Sequence, residues 1–459
     1  VKPPASGLYV HVPFCLRKCA YCDFYSETPT SRPGAEQDYA ESLGRELASL
    51  PDSFDPTTVY IGGGTPSALS LPELQALLSR VLSRAPHAEE VTCEVNPGTL
   101  TKEKARVLRD AGVNRVSLGA QSFDERALAF LGRIHQAKEI GDACRMLREQ
   151  GIDNLSLDLI YGLPSSVSHG PEEDLERLLE LAPDHLSCYA LTVEPGTPLH
   201  RDLGAGQFEP LDDDTCRNQY DAIRAQLKAA GYVHYELSNF ARPDRECRHN
   251  RIYWTGGDNI GVGPAAHSYW QGRRYGYPRD LTEWRGRVER GGWNPAAEEE
   301  LDAATSAPDE LKCQILRADP DGDLLAPAGP GRIARGHRTP GNRQTKQHAP
   351  RTGCAGCWGI RTPGSTDPGL YAFTPSGVIT QADVFQLPAA REQVVLGLRL
   401  LEGVSLSELR GRTGFSLAEL YDGEVERLIE LGMLVLEGDR LRLTEEALFI
   451  SNAVFSELI

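Results

Sequence analysis

The chain's 459 residues, 40% of them hydrophobic, allow two or three domains with ordinary globular cores and exclude a small disulfide-stapled scaffold. Sixty-five acidic residues against 48 basic ones leave a formal net charge of -17, which disfavours non-specific attraction to phosphate backbones or anionic lipid and leaves at most a local basic patch for nucleic acid. No run of about 18 apolar residues occurs and the first residues lack a charged-then-apolar signal pattern, so a cytoplasmic chain is expected, not integral to a membrane, its eleven cysteines thiols or metal ligands.

From residue 7 to about 240, short β-branched or apolar runs alternate with longer amphipathic stretches. Leu8-Val12, Val59-Ile61, Glu90-Glu94, Arg115-Leu118, Leu155-Ile160 and His185-Tyr189 read as strands, and 36-50, 71-84, 101-111, 137-150, 172-181 and 213-230 as helices. Such alternation implies right-handed βα units around a parallel sheet, with functional groups on loops at the carboxyl ends of the strands. Six units predict an α/β fold of partial (β/α)6 barrel type over residues 1-240, extended by 241-317. Cys93, Cys144, Cys188, Cys216 and Cys313 stand alone in apolar or helical contexts and read as core residues.

Residues 318-386 break the pattern. No acid occurs from Leu324 to Thr366, where Pro, Gly, Thr and Arg dominate, so a low-complexity, disordered insertion is expected. Its Cys354 and Cys357 make only half of a zinc site. Over 387-459, helices at 390-401, 405-412 and 416-431 precede a hairpin of Leu434-Leu436 and Leu441-Leu443 turned at Gly438-Asp439, and then a final helix. This is a mainly helical, winged-helix-like domain. Its many acids favour packing on the barrel over binding DNA.

The chemistry concentrates after the first strand, in Cys15-Leu-Arg-Lys-Cys19-Ala-Tyr-Cys22-Asp-Phe. Three thiolates on one loop can each take one iron of a cubane and leave the fourth iron open to an exchangeable ligand. Zinc is the rival, but a structural zinc wants four closed ligands; the local fourth candidates are His11, inside the strand, and Asp23, directly beside Cys22.

With this loop the sequence resembles the radical S-adenosylmethionine (SAM) superfamily, and its further motifs resemble the HemN/HemW branch, over about residues 7-270 and more weakly 390-459. The resemblance implies a 4Fe-4S cluster on Cys15, Cys19 and Cys22. It implies contacts to SAM from Tyr9, Tyr21, Gly63, Gly64 and Thr65 of the Gly-Gly-Gly-Thr-Pro turn, Glu94, Gln121, Arg133 and Asp158. Carboxylates suit ribose hydroxyls and an ammonium, and arginine suits a carboxylate. Glu194-Pro-Gly-Thr, Tyr235-Glu-Leu-Ser-Asn-Phe-Ala241, Gly261-Val-Gly-Pro-Ala-Ala-His267 and Leu396-Gly-Leu-Arg-Leu-Leu-Glu-Gly403 also look family-like.

Oxygen-independent coproporphyrinogen oxidases of the HemN type carry a further cysteine where this chain has Phe24, so the loop looks more like that of HemW heme chaperones. Cys247-Arg-His249-Asn250-Arg-Ile-Tyr253-Trp254 matches the HNxxYW motif associated with heme in that family. The resemblance then implies His249 as axial ligand, with Tyr253 and Trp254 against the porphyrin and Cys247 as a softer alternative ligand, and all of them are expected at the same barrel mouth as the cysteines. A His-Asn pair before two aromatics also reads as plain packing. The expected function is a heme carrier that passes heme to an acceptor protein; a porphyrinogen-oxidising radical enzyme and a zinc-stabilised binding module stay open as alternatives.

Because the 318-386 segment lacks apolar periodicity and carries none of the strand-end motifs, deletion of roughly 320-385 is expected to leave cluster and SAM binding intact. Iron and sulfide analysis with SAM dialysis checks this. Loss of the cluster in a soluble, folded deletion variant would implicate Cys354 and Cys357.

Overall fold

A computed structural model describes residues 5-28, 34-168, 170-293 and 381-459. Six parallel strands follow one another in space as in sequence: β1 (Gly7-Val12), β2 (Thr58-Gly63), β3 (Glu90-Val95), β4 (Arg115-Gln121), β5 (Asn154-Tyr161) and β6 (His185-Ala190). Crossover helices, among them Ala35-Ala48, Leu71-Arg84, Lys102-Ala111, Ala137-Glu149 and Glu172-Glu180, connect them. The barrel stays open. β6 pairs antiparallel with β8 (Asn239-Ala241), itself paired with β7 (Val233-Glu236), while β1 takes β9 (Asn259-Val262) in parallel, continued by the hairpin β10 (His267-Trp270) and β11 (Arg273-Gly276).

Each strand has two unlike faces. Leu8, Val10 and Val12, Val59 and Ile61, Val116 and Leu118, and Leu155, Leu157 and Leu159 are fully buried in the main core, where each large side chain contributes about 1.5-3 kcal/mol. The intervening residues are polar or glycine: Gly7, Tyr9 and His11; Thr58, Tyr60 and Gly62; Glu90, Thr92 and Glu94; Arg115, Ser117 and Gly119. Contacts such as Tyr60 to Glu94 and Ser117 to Asp158 link this second set across the barrel interior. A parallel strand covered on both faces by apolar layers would read as a continuous aliphatic run; here alternation marks a polar interior.

The helices start and stop on local signals. Ser70 caps Leu71-Arg84 by accepting from the Glu73 amide, Pro72 occupies its first turn, and Leu74, Leu77, Leu78 and Val81 form the buried stripe. Thr101 caps Lys102-Ala111, which ends at Gly112 with φ of 101°.

The C-terminal domain starts earlier than its sequence pattern suggested, with a helix over Gln381-Gly397. The rest of the expected insertion, with Cys354 and Cys357, lies outside the described residues. The expected helix at 416-431 is broken into Leu417-Leu420 and Glu424-Glu430, because Gly423 at φ of 97° restarts the chain. β12 (Val404-Ser405), β13 (Leu434-Glu437) and β14 (Arg440-Leu443) form an antiparallel sheet ordered β12-β14-β13, with Asp439 in the turn accepting from Ser405 and Ser407.

From Phe385 onward this domain belongs to one unit with the barrel. Arg399, 2% exposed, pairs with the fully buried Glu236 at 3.6 Å and lies 4.3 Å over the ring of Trp254. Leu237 and Leu401 complete the junction by donating to the carbonyls of Arg399 and Tyr235, both at 3.1 Å, and Arg274 pairs with Glu392 at 2.5 Å. Removing one partner of so buried a pair costs more than the pair itself contributes.

Burial holds four histidines neutral: His135 and His234 are lowered to about 4, His249 to about 3, and His185 well below its ordinary value. Their unfolded counterparts titrate near pH 6.5, so as pH falls below that value the unfolded chain takes up protons that the folded chain refuses. Each histidine then removes up to about 1.4 kcal/mol of stability per pH unit. Asp158, raised by burial to about 6, works in the opposite direction, as do the raised carboxyls of Glu36, Asp174 and Glu392, but unfolded carboxyls are already ionised between pH 7 and 5.5, whereas the four imidazoles of the unfolded chain titrate within that window. Urea unfolding is therefore expected to show a lower midpoint at pH 5.5 than at pH 7.5.

Candidate functional site

The open end of the barrel is the carboxyl end of the strands. The loop after β1 is pinched shut at its base, where Glu27 donates to the Pro13 carbonyl at 2.6 Å and accepts from Cys15 at 3.0 Å. Its middle is fixed by neighbours: Ala20 donates to Leu131 at 2.9 Å and accepts from Leu199 at 2.9 Å. Gly132 lies close beneath, with a φ of 72° and a side-chain position only 3.0 Å from the Ala20 amide. Cys15, Cys19 and Cys22 are all half-buried free thiols.

Two contacts tie these thiols to later strands. Cys15 Sγ lies 3.3 Å from Thr65 Oγ1, and Arg133 Nη1 donates to Cys19 Sγ at 3.5 Å while its Nη2 donates to the Gly119 carbonyl at 2.7 Å. Burial raises the Cys15 thiol, and raises Cys22 to about 12. Deprotonating them calls for a strong positive charge, which coordinated iron would supply.

The Gly62-Gly63-Gly64-Thr65 turn folds back on the β1 loop: Gly64 donates to Val12 at 2.8 Å and Thr65 to Phe14 at 2.8 Å. Gly63, at φ of 101°, donates to Glu94 Oε2 at 3.0 Å. On the side where a side chain would stand, the space beside each of the three glycines is filled by protein. A side chain at Gly62 would meet the Glu94 carboxyl at 2.6 Å, at Gly63 the His11 ring at 2.5 Å, and at Gly64 the Val12 carbonyl at 2.7 Å. They shape the turn from below.

Around it stand the other expected residues. Tyr9 hydrogen-bonds His11 Nδ1 at 3.0 Å, and His11 Nε2 reaches the Tyr25 carbonyl at 2.9 Å, so both imidazole nitrogens are engaged within the protein. Asp23, the other candidate fourth zinc ligand, pairs with Arg279 at 3.1 Å. Burial keeps the Tyr21 hydroxyl protonated, with Arg133, Cys19 and Asp158 among its neighbours. Gln121 sits at a strand irregularity with φ of 69°, an uncommon conformation for a side-chain-bearing residue. Asp158 accepts from Ser117 at 3.2 Å, and burial lifts its carboxyl to about 6.

These residues suit the groups that the sequence suggested. Among the described residues no three metal-ligating side chains converge on one ion, whereas in a cubane each thiolate takes a different iron. The buried Nε of Arg133 has no hydrogen-bond partner among the described residues and suits a ligand carboxylate.

His249, Tyr253 and Trp254 are not at this mouth. They lie on the helix Arg248-Trp254 at the opposite end, against the first residues of β1, β2 and β3. His249 is 0% exposed; its Nδ1 shares a hydrogen bond with Thr58 Oγ1 at 2.8 Å and its Nε2 one with the Tyr253 hydroxyl at 2.7 Å. Cys247 is a buried thiol raised to about 12, facing Glu90 at 3.7 Å, and Trp254 is covered by Arg399. The expectation of a shared mouth fails because the motif follows β8, whose antiparallel return brings the chain back to where the parallel strands begin. Sequence reading missed Tyr60, Glu90 and Arg115, which line the interior; the period-2 polar alternation was the signal available.

The sequence pattern of the Radical SAM superfamily matches residues 9-182, and that of the HemN C-terminal domain matches 387-450. Heme chaperone HemW of Mycobacterium tuberculosis is 42% identical over 270 residues, 57% of this chain and 69% of the relative. The Escherichia coli protein of that name is 40% identical over 274 residues, 58% and 71% of the two chains, and the Bacillus subtilis one 36% over 272, also 58% and 71%. Among solved structures, coproporphyrinogen III oxidase (HemN) from Escherichia coli aligns with a TM-score of 0.69 over 99% of this chain and 90% of its own, at 18% identity, a likeness of fold.

The turn yields a stability test. Gly63→Ala meets both a left-handed backbone and the His11 ring, whereas Gly206→Ala, at φ of 67°, meets nothing within 4 Å. The backbone term, about 1-2 kcal/mol, is common to both. Urea unfolding is expected to show Gly63→Ala the more destabilised by at least about 1 kcal/mol.

Proposed function

We propose, for a chain that belongs to the HemW family of the radical SAM superfamily, that it is a heme chaperone, binding heme and handing it to an acceptor protein. The observation that carries the cofactor half of this reading is the three-thiol loop at the open end of the barrel, braced by Thr65 and Arg133. Cys15, Cys19 and Cys22 hold a 4Fe-4S cluster, which supplies one-electron chemistry and an open iron position for SAM. Tyr9, Tyr21, Gly63, Gly64, Thr65, Glu94, Gln121, Arg133 and Asp158 surround the SAM. Arg133 would take its carboxylate, and the Glu94 and Asp158 carboxyls would suit its hydroxyl and ammonium groups. Heme is cargo.

The fold alone is shared with an oxidase, so the oxidase reading needs separate weighing. Phe24 stands where HemN-type enzymes carry a cysteine, and it is 42% exposed beside the cluster loop, whose Leu16 is 54% exposed. Two outward apolar side chains at the mouth favour contact with an apolar partner or cargo over a further thiol-dependent step. Among the described residues no helix is long and apolar enough to cross a membrane.

Anaerobic reconstitution followed by heme titration, with and without SAM, tests the proposal. The wild type is expected to hold about four irons and four sulfides per chain and to develop a heme Soret band. Cys15→Ala, Cys19→Ala and Cys22→Ala should each lose the cluster. Stoichiometric zinc in its place would overturn the cluster assignment. Steady conversion of coproporphyrinogen III to protoporphyrinogen in the presence of SAM and a reductant would restore the oxidase.

A further inference from the structure

The helix Arg248-Trp254 is built into the closed end of the barrel from three sides. The Glu90 carboxylate, at the start of β3, accepts from the amides of Arg248 and His249, both at 3.0 Å, and so holds the first turn of the helix. The His249 ring occupies the space left by Gly7: a side chain there would lie 2.9 Å from the imidazole Cε1. On the far side, Trp254 is clamped by Arg399, and Arg251 pairs with Glu402 at 2.7 Å. Heme iron needs a ring nitrogen with a free lone pair and an open path for a planar macrocycle; His249 offers neither.

What the ring does contact is Tyr60, 5.4 Å between centroids. Tyr60 spans the interior. Its hydroxyl donates to Glu94 Oε1 at 2.9 Å, and the other oxygen of that carboxylate accepts from the Gly63 amide in the cofactor turn. Burial keeps the Tyr60 hydroxyl protonated and therefore a donor, and keeps His249 neutral, so neither ring brings a charge of its own to the path. From β2 at the closed end to the turn at the open end, each member is held by the one beneath it.

We propose that His249 is a positioning residue of the barrel and not an iron ligand: through the ring of Tyr60 it sets the Glu94 carboxylate against the Gly63 turn. The SAM half of this inference rests on the cofactor site proposed above, and the heme half on the chaperone reading. Because the same helix is clamped by Arg399 and Glu402, the C-terminal domain is connected to the cofactor turn through this path.

The test uses the full chain and two separate measurements: SAM affinity of the cluster-loaded protein by equilibrium dialysis, and heme affinity with Soret position by titration. Tyr60→Phe, which keeps the ring and removes the hydroxyl, and His249→Ala should each weaken SAM binding by about fivefold, the worth of one hydrogen bond. The double variant should lose no more than about twofold beyond the worse single, since both act through one carboxylate. His249→Gln, which can still hydrogen-bond Thr58, should recover most of the SAM affinity. In every variant the heme affinity and Soret position should match wild type. A shifted Soret band or a tenfold loss of heme affinity in His249→Ala, with SAM binding kept, makes His249 the ligand and overturns the proposal. So do losses of SAM affinity that simply add in the double variant. If His249→Ala does not fold, Tyr60→Phe and His249→Gln decide: unchanged SAM affinity in Tyr60→Phe, or a lost Soret band in His249→Gln, overturns it. A wild type that fails to bind heme sinks the chaperone reading, while the SAM measurements still judge this one.

Discussion

The polar inner face of an otherwise ordinary parallel barrel is the constraint on which the rest of this structure depends. The strands are bonded to one another and sealed outside by aliphatic side chains, so stability comes from the outer layer. The inner layer carries Thr58, Tyr60, Glu90, Thr92, Glu94, Arg115, Ser117 and Asp158, and polar groups so placed must find partners or water. At the closed end the partners found are protein, although Thr92 Oγ1 and Arg115 Nε have none among the described residues. Glu90 binds the Arg248-Trp254 helix, and Ser156 meets His185, which meets Tyr235, each at 2.8 Å.

At the open end the same requirement is met differently. Arg133 donates to Cys19 and Gly119, yet its buried Nε has no hydrogen-bond partner among the described residues, the kind of remaining capacity that a binding site for a polar cofactor needs. Burial without full pairing has an energetic signature, visible in the raised Asp158 carboxyl and the raised Cys15 and Cys22 thiols. The floor is not fully satisfied either, since the buried Arg115 Nε and Trp254 Nε1 have no hydrogen-bond partner among the described residues, but its close packing gives the mouth a rigid support.

The C-terminal domain is part of that floor. Its Arg399 lies between Glu236 and Trp254, and its backbone pairs with Tyr235 and Leu237. A buried arginine with one carboxylate and one indole face fixes orientation more than it adds stability, because desolvation offsets much of the attraction. The family-like stretches Tyr235-Ala241 and Leu396-Gly403, far apart in sequence, meet at this junction.

Taken alone, the sequence determined the six parallel units and their carboxyl-end chemistry, because strand alternation and helical stripes are local properties of neighbouring residues. It marked Cys15, Cys19, Cys22, Gly63, Glu94, Gln121, Arg133 and Asp158 as one group, since most of them follow or lie near the end of a strand and parallel strands share a direction. It mistook the break at Gly423, where a positive-φ glycine interrupts an apolar stripe that otherwise continues. It also placed His249 with the cysteines, and only the tertiary structure decided otherwise. The antiparallel return through β7 and β8 reverses the chain, so a motif some 230 residues after the cysteine loop descends to the floor. Which end of a barrel a segment reaches depends on strand pairings distant in sequence, and no local pattern within the segment encodes it.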